Sequence, residues 1–423
     1  MQEPALDVAP SREPLGIPTK YLLLALLTVP MWSGGLPIIG YYSPLGLRAL
    51  WLAFCALILF LSYSLPMRRL LYPLWPYLAW LACYLTLGLV VSPIRVLPFA
   101  LTIAFYTIVF STTIAIFTSS ENALRLFANS TQWILVFNII FLLLLIRYPS
   151  LQSIVTPDVQ IGDAYQASKE RFGGLWENPN MAGYVAVVGI LLSTWATRWI
   201  AWLGRFSAVG LIYFSASRKA SLMLVAVLLL NMLIVQRRNI KAWIILSVMG
   251  MVALTALVFG NRYMGNSIST LSTDQKIARI TDLKEEDTGD GTRVDLLKSW
   301  LPIAARAPWY GYGLGAMSGY RAPRGEPRKE LNNVGTHNTY LGIWIDVGPV
   351  GLLAFLIVFL GYISKYFTYR FVPKVRWALL SLMLCNVVIL TVSHNHLFCA
   401  EGLIAFSLFF LLPTCPALAS SRI

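Results

Sequence analysis

The chain has 423 residues, of which 57% are hydrophobic and only 12% charged, where a soluble domain carries roughly 25% charged residues. A single soluble core stops growing near about 250–300 residues and no polar linker divides this chain, so a soluble globular protein is excluded. The net charge of +14 does not point to nucleic acid either: the Lys and Arg residues stand mainly between apolar runs, where they set membrane topology and meet anionic lipid headgroups.

Residues 1–17 are polar and of mixed charge. The apolar stretch that follows has no clear A-x-A cleavage site and reads as a retained first helix rather than a signal peptide. Apolar runs of roughly 18–22 residues, the length that crosses a hydrocarbon layer, predict about twelve transmembrane helices. They lie at 19–40, 46–65, 71–91, 96–118, 126–146, 180–198, 200–216, 220–236, 242–260, 339–364, 376–393 and 398–416. The five cysteines (Cys55, Cys83, Cys385, Cys399, Cys415) lie in or beside these spans without C-x-x-C spacing. They read as small apolar side chains, not as zinc ligands or a disulfide framework.

Basic residues in short loops orient the chain. With the N-terminus inside, Arg68, Arg69, Arg125, Arg198, Arg205, Arg237, Arg238, Lys241 and Lys374 fall on the cytoplasmic side, whereas the short external turns hold Arg48, Arg95, Arg218 and Lys219. Both termini are therefore expected in the cytoplasm. The whole chain reads as one integral membrane domain with a smaller external loop at 149–178 and a large one at 261–337. A loop of that length is uncommon unless it serves a function. Inside it, Val294 to Ala305 is apolar at helical spacing, which predicts a helix lying against the membrane surface.

Three places in the external segments carry possible chemistry. Arg218 and Lys219, in YFSASRKAS, put positive charge where the other turns avoid it. Burying such a charge at a helix centre costs roughly 2.5–3.5 kcal/mol. The pair either snorkels to the interface or forms an anion site, for which the Arg fork suits phosphate oxygens. His337, in GTHNTYLGIWIDVGPVG, stands where the long loop re-enters the membrane, and a neutral imidazole can take a proton from a hydroxyl. Arg293, in DGTRVDLLKSW, would open a helix, where a cation opposes the dipole and calls for a partner. Gly311, Gly313 and Gly315 form a turn through which the chain can approach the membrane closely; no strand precedes them and no G-K-S/T follows, so they are no phosphate loop. His394 and His396 are spaced i, i+2, on different helix faces, which argues against a metal. Asp346, about nine residues into its span, is an intramembrane acid that could pair with an Arg or line a cavity.

At these residues the chain resembles the O-antigen ligase family, taken broadly to include O-antigen polymerases and some protein O-oligosaccharyltransferases. The likeness rests on W-E-N-P-N-M-A-G (Trp176 to Gly183), the S-x-S-R turn ending at Arg218, and G-T-R at Arg293 followed by P-W-Y-G-Y-G-L-G. It ends with H-N then G-P-V-G, at His337, Asn338, Gly348 and Gly351. The resemblance implies a fold related to the GT-C glycosyltransferases and a glycan donor linked to undecaprenyl diphosphate. It implies a lipid A–core acceptor and transfer at the periplasmic face of a bacterial inner membrane, without cofactor, metal or nucleotide sugar. Carried onto this sequence, the family's histidine falls on His337 as a general base and its arginines on Arg218 and Arg293. Lys219 joins them as a diphosphate contact, with Asn338, Gly348 and Gly351 as structural neighbours. The competing readings are an O-antigen polymerase and a transporter or flippase for an anionic lipid-linked substrate. The first would carry two large external loops; the second would spread charge through the bilayer midplane.

Overall fold

A computed structural model describes residues 71–92, 96–148, 174, 176, 179–215, 217–236, 293–316, 336–393, 397, 400–415 and 417–418. Its regular structure is helical. In chain order the helices are α1 (Trp75–Val91), α2 (Leu97–Phe117), α3 (Glu121–Arg147), α4 (Pro179–Leu192), α5 (Arg198–Ser215), α6 (Arg218–Ile234), α7 (Arg293–Ala305), α8 (Thr339–Thr368), α9 (Pro373–Val392) and α10 (Ala400–Leu411). Local signals start several of them. Pro stands in the first turn of α1, α2 and α9, where its missing N–H has no intrahelical acceptor to lose. Ser120 caps α3 by accepting from the amide of Ala123, and Glu121 pairs with Arg125 across the first turn at 3.2 Å.

The spans expected from 71 to 236 coincide with α1 to α6, and those expected from 339 to 416 with α8 to α10. Those at 19–40, 46–65 and 242–260 lie outside the described residues, as does most of the loops 149–178 and 261–337. Four helical stretches among the described residues are long and apolar enough to cross a bilayer: Tyr72–Val91, Glu121–Leu144, Thr339–Thr368 and Pro373–Val392.

Two groups of helices make the core. In the first, α4 is surrounded by α3, α5, α6 and α9, and every residue from Ala182 to Leu192 is buried. Small residues allow this enclosure: a side chain at Gly183 would stand 2.7 Å from the Ala220 Cβ, so α4 and α6 meet almost backbone to backbone, the device by which helices associate in lipid. In the second group, α1, α2, α8 and α10 close around aromatic rings. Trp80 lies 4.8 Å from Phe355, and Tyr77 lies 4.6 Å from Phe410. The outer faces of these groups are apolar too. Leu222, Val225, Leu229 and Leu233 form one exposed stripe on α6, and Val350, Leu353, Ile357 and Leu360 another on α8. Stripes of that spacing and size cannot face water without driving aggregation. They face hydrocarbon.

The tenth expected span is interrupted. Val347 and Gly348 leave helical geometry within α8, with Gly348 at φ 76°. Pro349 explains part of this: it carries no N–H, so the carbonyl of Ile345, four residues earlier, has no helical donor. The helix restarts at Pro349, which suits a first helical position. The span is therefore fully broken at Gly348, and the half-helix before it runs only from Thr339 to Asp346.

Candidate functional site at one end of the bundle

Helix α9 ends at Val392, and its last carbonyls lack helical donors. Three side chains from distant parts of the chain supply them. Lys219 Nζ donates to the Val392 carbonyl at 2.5 Å, Asn338 Nδ2 to the Thr391 carbonyl at 3.2 Å, and Thr339 Oγ1 to the Ser393 carbonyl at 2.5 Å. A cation at a helix C-terminus is favoured by the dipole. This explains how α6 tolerates two cations and no acid in its first turn: the Lys219 charge is carried across to the negative end of α9.

The same contacts bring the Arg218–Lys219 turn and the His337–Asn338 turn to one short strip of main chain, residues 391–393. The first external motif joins them. Asn180, in W-E-N-P-N-M-A-G, accepts from Ser217 Oγ at 3.1 Å, and Ser217 in turn caps α6 by accepting from the amide of Ala220. Trp176, just before α4, is buried. Arg218 is thus the first residue of α6, next to its capping serine; its side chain lies outside what the structure describes, as does that of Arg293.

His337 itself is half-buried and has φ 47°, the left-handed region, alone among the described non-glycine residues. That conformation costs on the order of 1–3 kcal/mol for a residue with a Cβ and persists where surrounding contacts impose it. Those contacts are on either side. Thr336 Oγ1 donates to the Asn338 carbonyl at 2.9 Å, and Asn338 Oδ1 caps α8 by accepting from the Leu341 amide at 2.9 Å. The histidine is held between two tied residues at the mouth of α8.

Arg293 opens α7, the helix expected within the large loop. Leu296, Trp300, Ile303 and Ala304 of α7 pack on Leu341 and Ile345 in the first half of α8, so one face of α7 meets protein. After α7 the chain turns at Pro308 and crosses the break in α8. Tyr312 donates its amide to the Ile345 carbonyl at 2.8 Å and Gly313 to the Asp346 carbonyl at 2.9 Å, taking the place of the donors lost at Pro349 and Val350. Gly311 and Gly348 both have positive φ, and a Cβ at Gly348 would fall on the Trp309 carbonyl. The glycine triplet makes a close approach, as expected, but its target is the break in α8. Gly351 accepts the Trp80 indole N–H through its carbonyl at 3.1 Å, tying the second half of α8 to α1.

Asp346 was legible only as an intramembrane acid. Its fully buried carboxylate accepts from Tyr84 Oη at 2.7 Å and from the Gly315 amide at 3.4 Å. His394 and His396 lie outside the described residues, and so does the Glu401 side chain.

A helical bundle with apolar outer faces, whose polar motifs converge at one end, is an integral membrane protein. Residues 203–356 match the family model described as O-antigen ligase. The match runs from within α5 through α6 and α7 to just past the break in α8, and supports a function of ligase or polymerase type in lipopolysaccharide biosynthesis. No curated protein matches the chain.

Proposed function

We propose that the protein is an O-antigen ligase of the bacterial inner membrane, transferring a glycan from undecaprenyl diphosphate to a hydroxyl of lipid A–core oligosaccharide on the periplasmic side. In this reading it has about twelve spans in a GT-C-like arrangement and both termini in the cytoplasm. The observation that carries the reading is the tie of Lys219 and Asn338 to neighbouring carbonyls at the end of α9, which puts the S-x-S-R turn and the H-N turn side by side.

The chemistry follows from that neighbourhood. An acceptor hydroxyl attacks the anomeric carbon, the bond from that carbon to the diphosphate oxygen breaks, and undecaprenyl diphosphate leaves. Guanidinium groups at Arg218 and Arg293 stabilise the charge developing on the diphosphate, and Lys219 adds to the local positive potential. His337 accepts the hydroxyl proton. One base acting on one face gives single displacement with inversion. The cations serve as the electrophilic partners of the leaving group, so neither metal nor nucleotide sugar is needed.

The test is ligation by purified protein from lipid-linked glycan and lipid A–core, with EDTA present. Product should form, and His337→Ala and Arg218→Ala should each lower the rate by about a hundredfold or more. A His337→Ala variant with full activity removes the general-base role. In cells, deletion leaving bare core supports ligation; deletion leaving core with one repeat makes the protein a polymerase instead.

A further inference from the structure

The segment that follows α7 has an unusual property for part of a long polar loop. Six consecutive amides all donate within the protein: Gly311 to the Pro308 carbonyl, Tyr312 to Ile345, Gly313 to Asp346, Leu314 to Gly88 and Ala316 to Gly313, with Gly315 donating to the Asp346 carboxylate. Gly311, Gly313, Leu314, Gly315 and Ala316 are buried. A loop in water can leave such groups to solvent. Irregular backbone at membrane depth cannot, because each unsatisfied group costs several kcal/mol in hydrocarbon.

Two gauges give the depth. The span Tyr72–Val91 has 20 residues, a length of about 30 Å at a rise of 1.5 Å per residue, which matches the hydrocarbon layer with nothing to spare. Gly88, whose carbonyl accepts from Leu314, and Tyr84, which shares the Asp346 carboxylate with Gly315, then lie about 5 and about 10 Å below the end of α1. On α8 the segment meets Ile345 to Gly348, about 10 Å or more from the helix start. Beside it, Trp309 is 63% exposed and Leu297 and Leu301 on the outer face of α7 are exposed. Val90 of α1 and Val350 and Leu353 of α8 are likewise exposed, on helices able to cross a bilayer.

We infer that residues 308–316 form a re-entrant segment below the membrane surface, and that Leu297, Leu301 and Trp309 are covered by lipid acyl chains. The α7 helix is then sunk into the leaflet rather than resting on it. Lys298 and Arg306 have stems long enough to carry their charge up to the headgroups. This inference rests on membrane insertion alone and stands whichever reaction the site performs.

The test places the photoreactive residue p-benzoylphenylalanine at position 301 or 309 in the full chain, in nanodiscs of phosphatidylethanolamine and phosphatidylglycerol. Position 353 on α8 is the lipid-facing control. After illumination, intact-mass measurement should show a gain of one phospholipid at 301 and 309 in yields within about twofold of the control, as expected for side chains meeting the same solvent. A crosslink to another part of the chain overturns lipid as the occupant. No adduct at either position, with a normal adduct at 353, returns the segment to water and overturns the inference.

Discussion

The hydroxyl of Tyr84 donates to the carboxylate of Asp346 at 2.7 Å, joining α1 to the last residue of the first half of α8. Both side chains are buried. Beneath them the Gly315 amide reaches the same carboxylate oxygen, so one acid holds two helices and the crossing loop together.

We predict that Tyr84→Phe lowers stability by about 1–3 kcal/mol, because it leaves a buried acceptor short of a donor. Thermal unfolding in nanodiscs would register this as a lower midpoint. Asp346→Leu should be worse than Tyr84→Phe, since it also releases the Gly315 amide. An unchanged midpoint for Tyr84→Phe would remove the hydrogen bond from the account of how the break is held.

Gly348→Ala should abolish or sharply reduce folded protein, because its φ is positive and an added Cβ falls on the Trp309 carbonyl. Gly361→Ala is the matched control on the same helix: nothing lies within 4 Å of the added atom, and Ala is the better helix former by about 1 kcal/mol. Size-exclusion yield of the two variants decides the matter. Equal yields would mean that the crossing loop does not seat in the break.

His337→Gly separates stability from activity. Glycine adopts a left-handed φ without steric cost, relieving strain on the order of 1–3 kcal/mol against about 0.4–1 kcal/mol of added unfolded-chain entropy, so this variant should be at least as stable as the natural protein. Ligation should nonetheless be lost with the imidazole. A less stable His337→Gly protein would show that the side chain holds the turn, and a ligating one that it is not needed for transfer.

Asn338→Asp keeps the cap on α8, since a carboxylate accepts from the Leu341 amide, but it loses the donor to the Thr391 carbonyl. Asn338→Ala loses both, at about 1 kcal/mol for the cap alone. If the tie to α9 positions His337, ligation falls in both variants while only Asn338→Ala loses appreciable stability. Full activity in Asn338→Asp would dismiss the tie as a positioning device.

Much of the helix layout was legible in the chain itself. Runs of apolar residues marked α1 to α6 and α8 to α10 because lipid demands a continuous apolar stretch of fixed length. The helix α7 was readable from its spacing. The partner of Asp346 was not, because Tyr84 stands 262 residues away in a span whose sequence says only that it is apolar. A hydrophobic sequence does not say which of its rare polar side chains meet.

What the amino-acid order determined alone is the class of protein and the short turns at which charge and imidazole gather, since hydropathy and local caps act over a few residues. Tertiary structure decided the rest: that Lys219 and Asn338 share the end of α9, and that the glycine turn fills the gap left by Pro349 instead of lying on the membrane. Both depend on main-chain groups that are orphaned in one segment and satisfied by another, and such pairings exist only once the helices have packed.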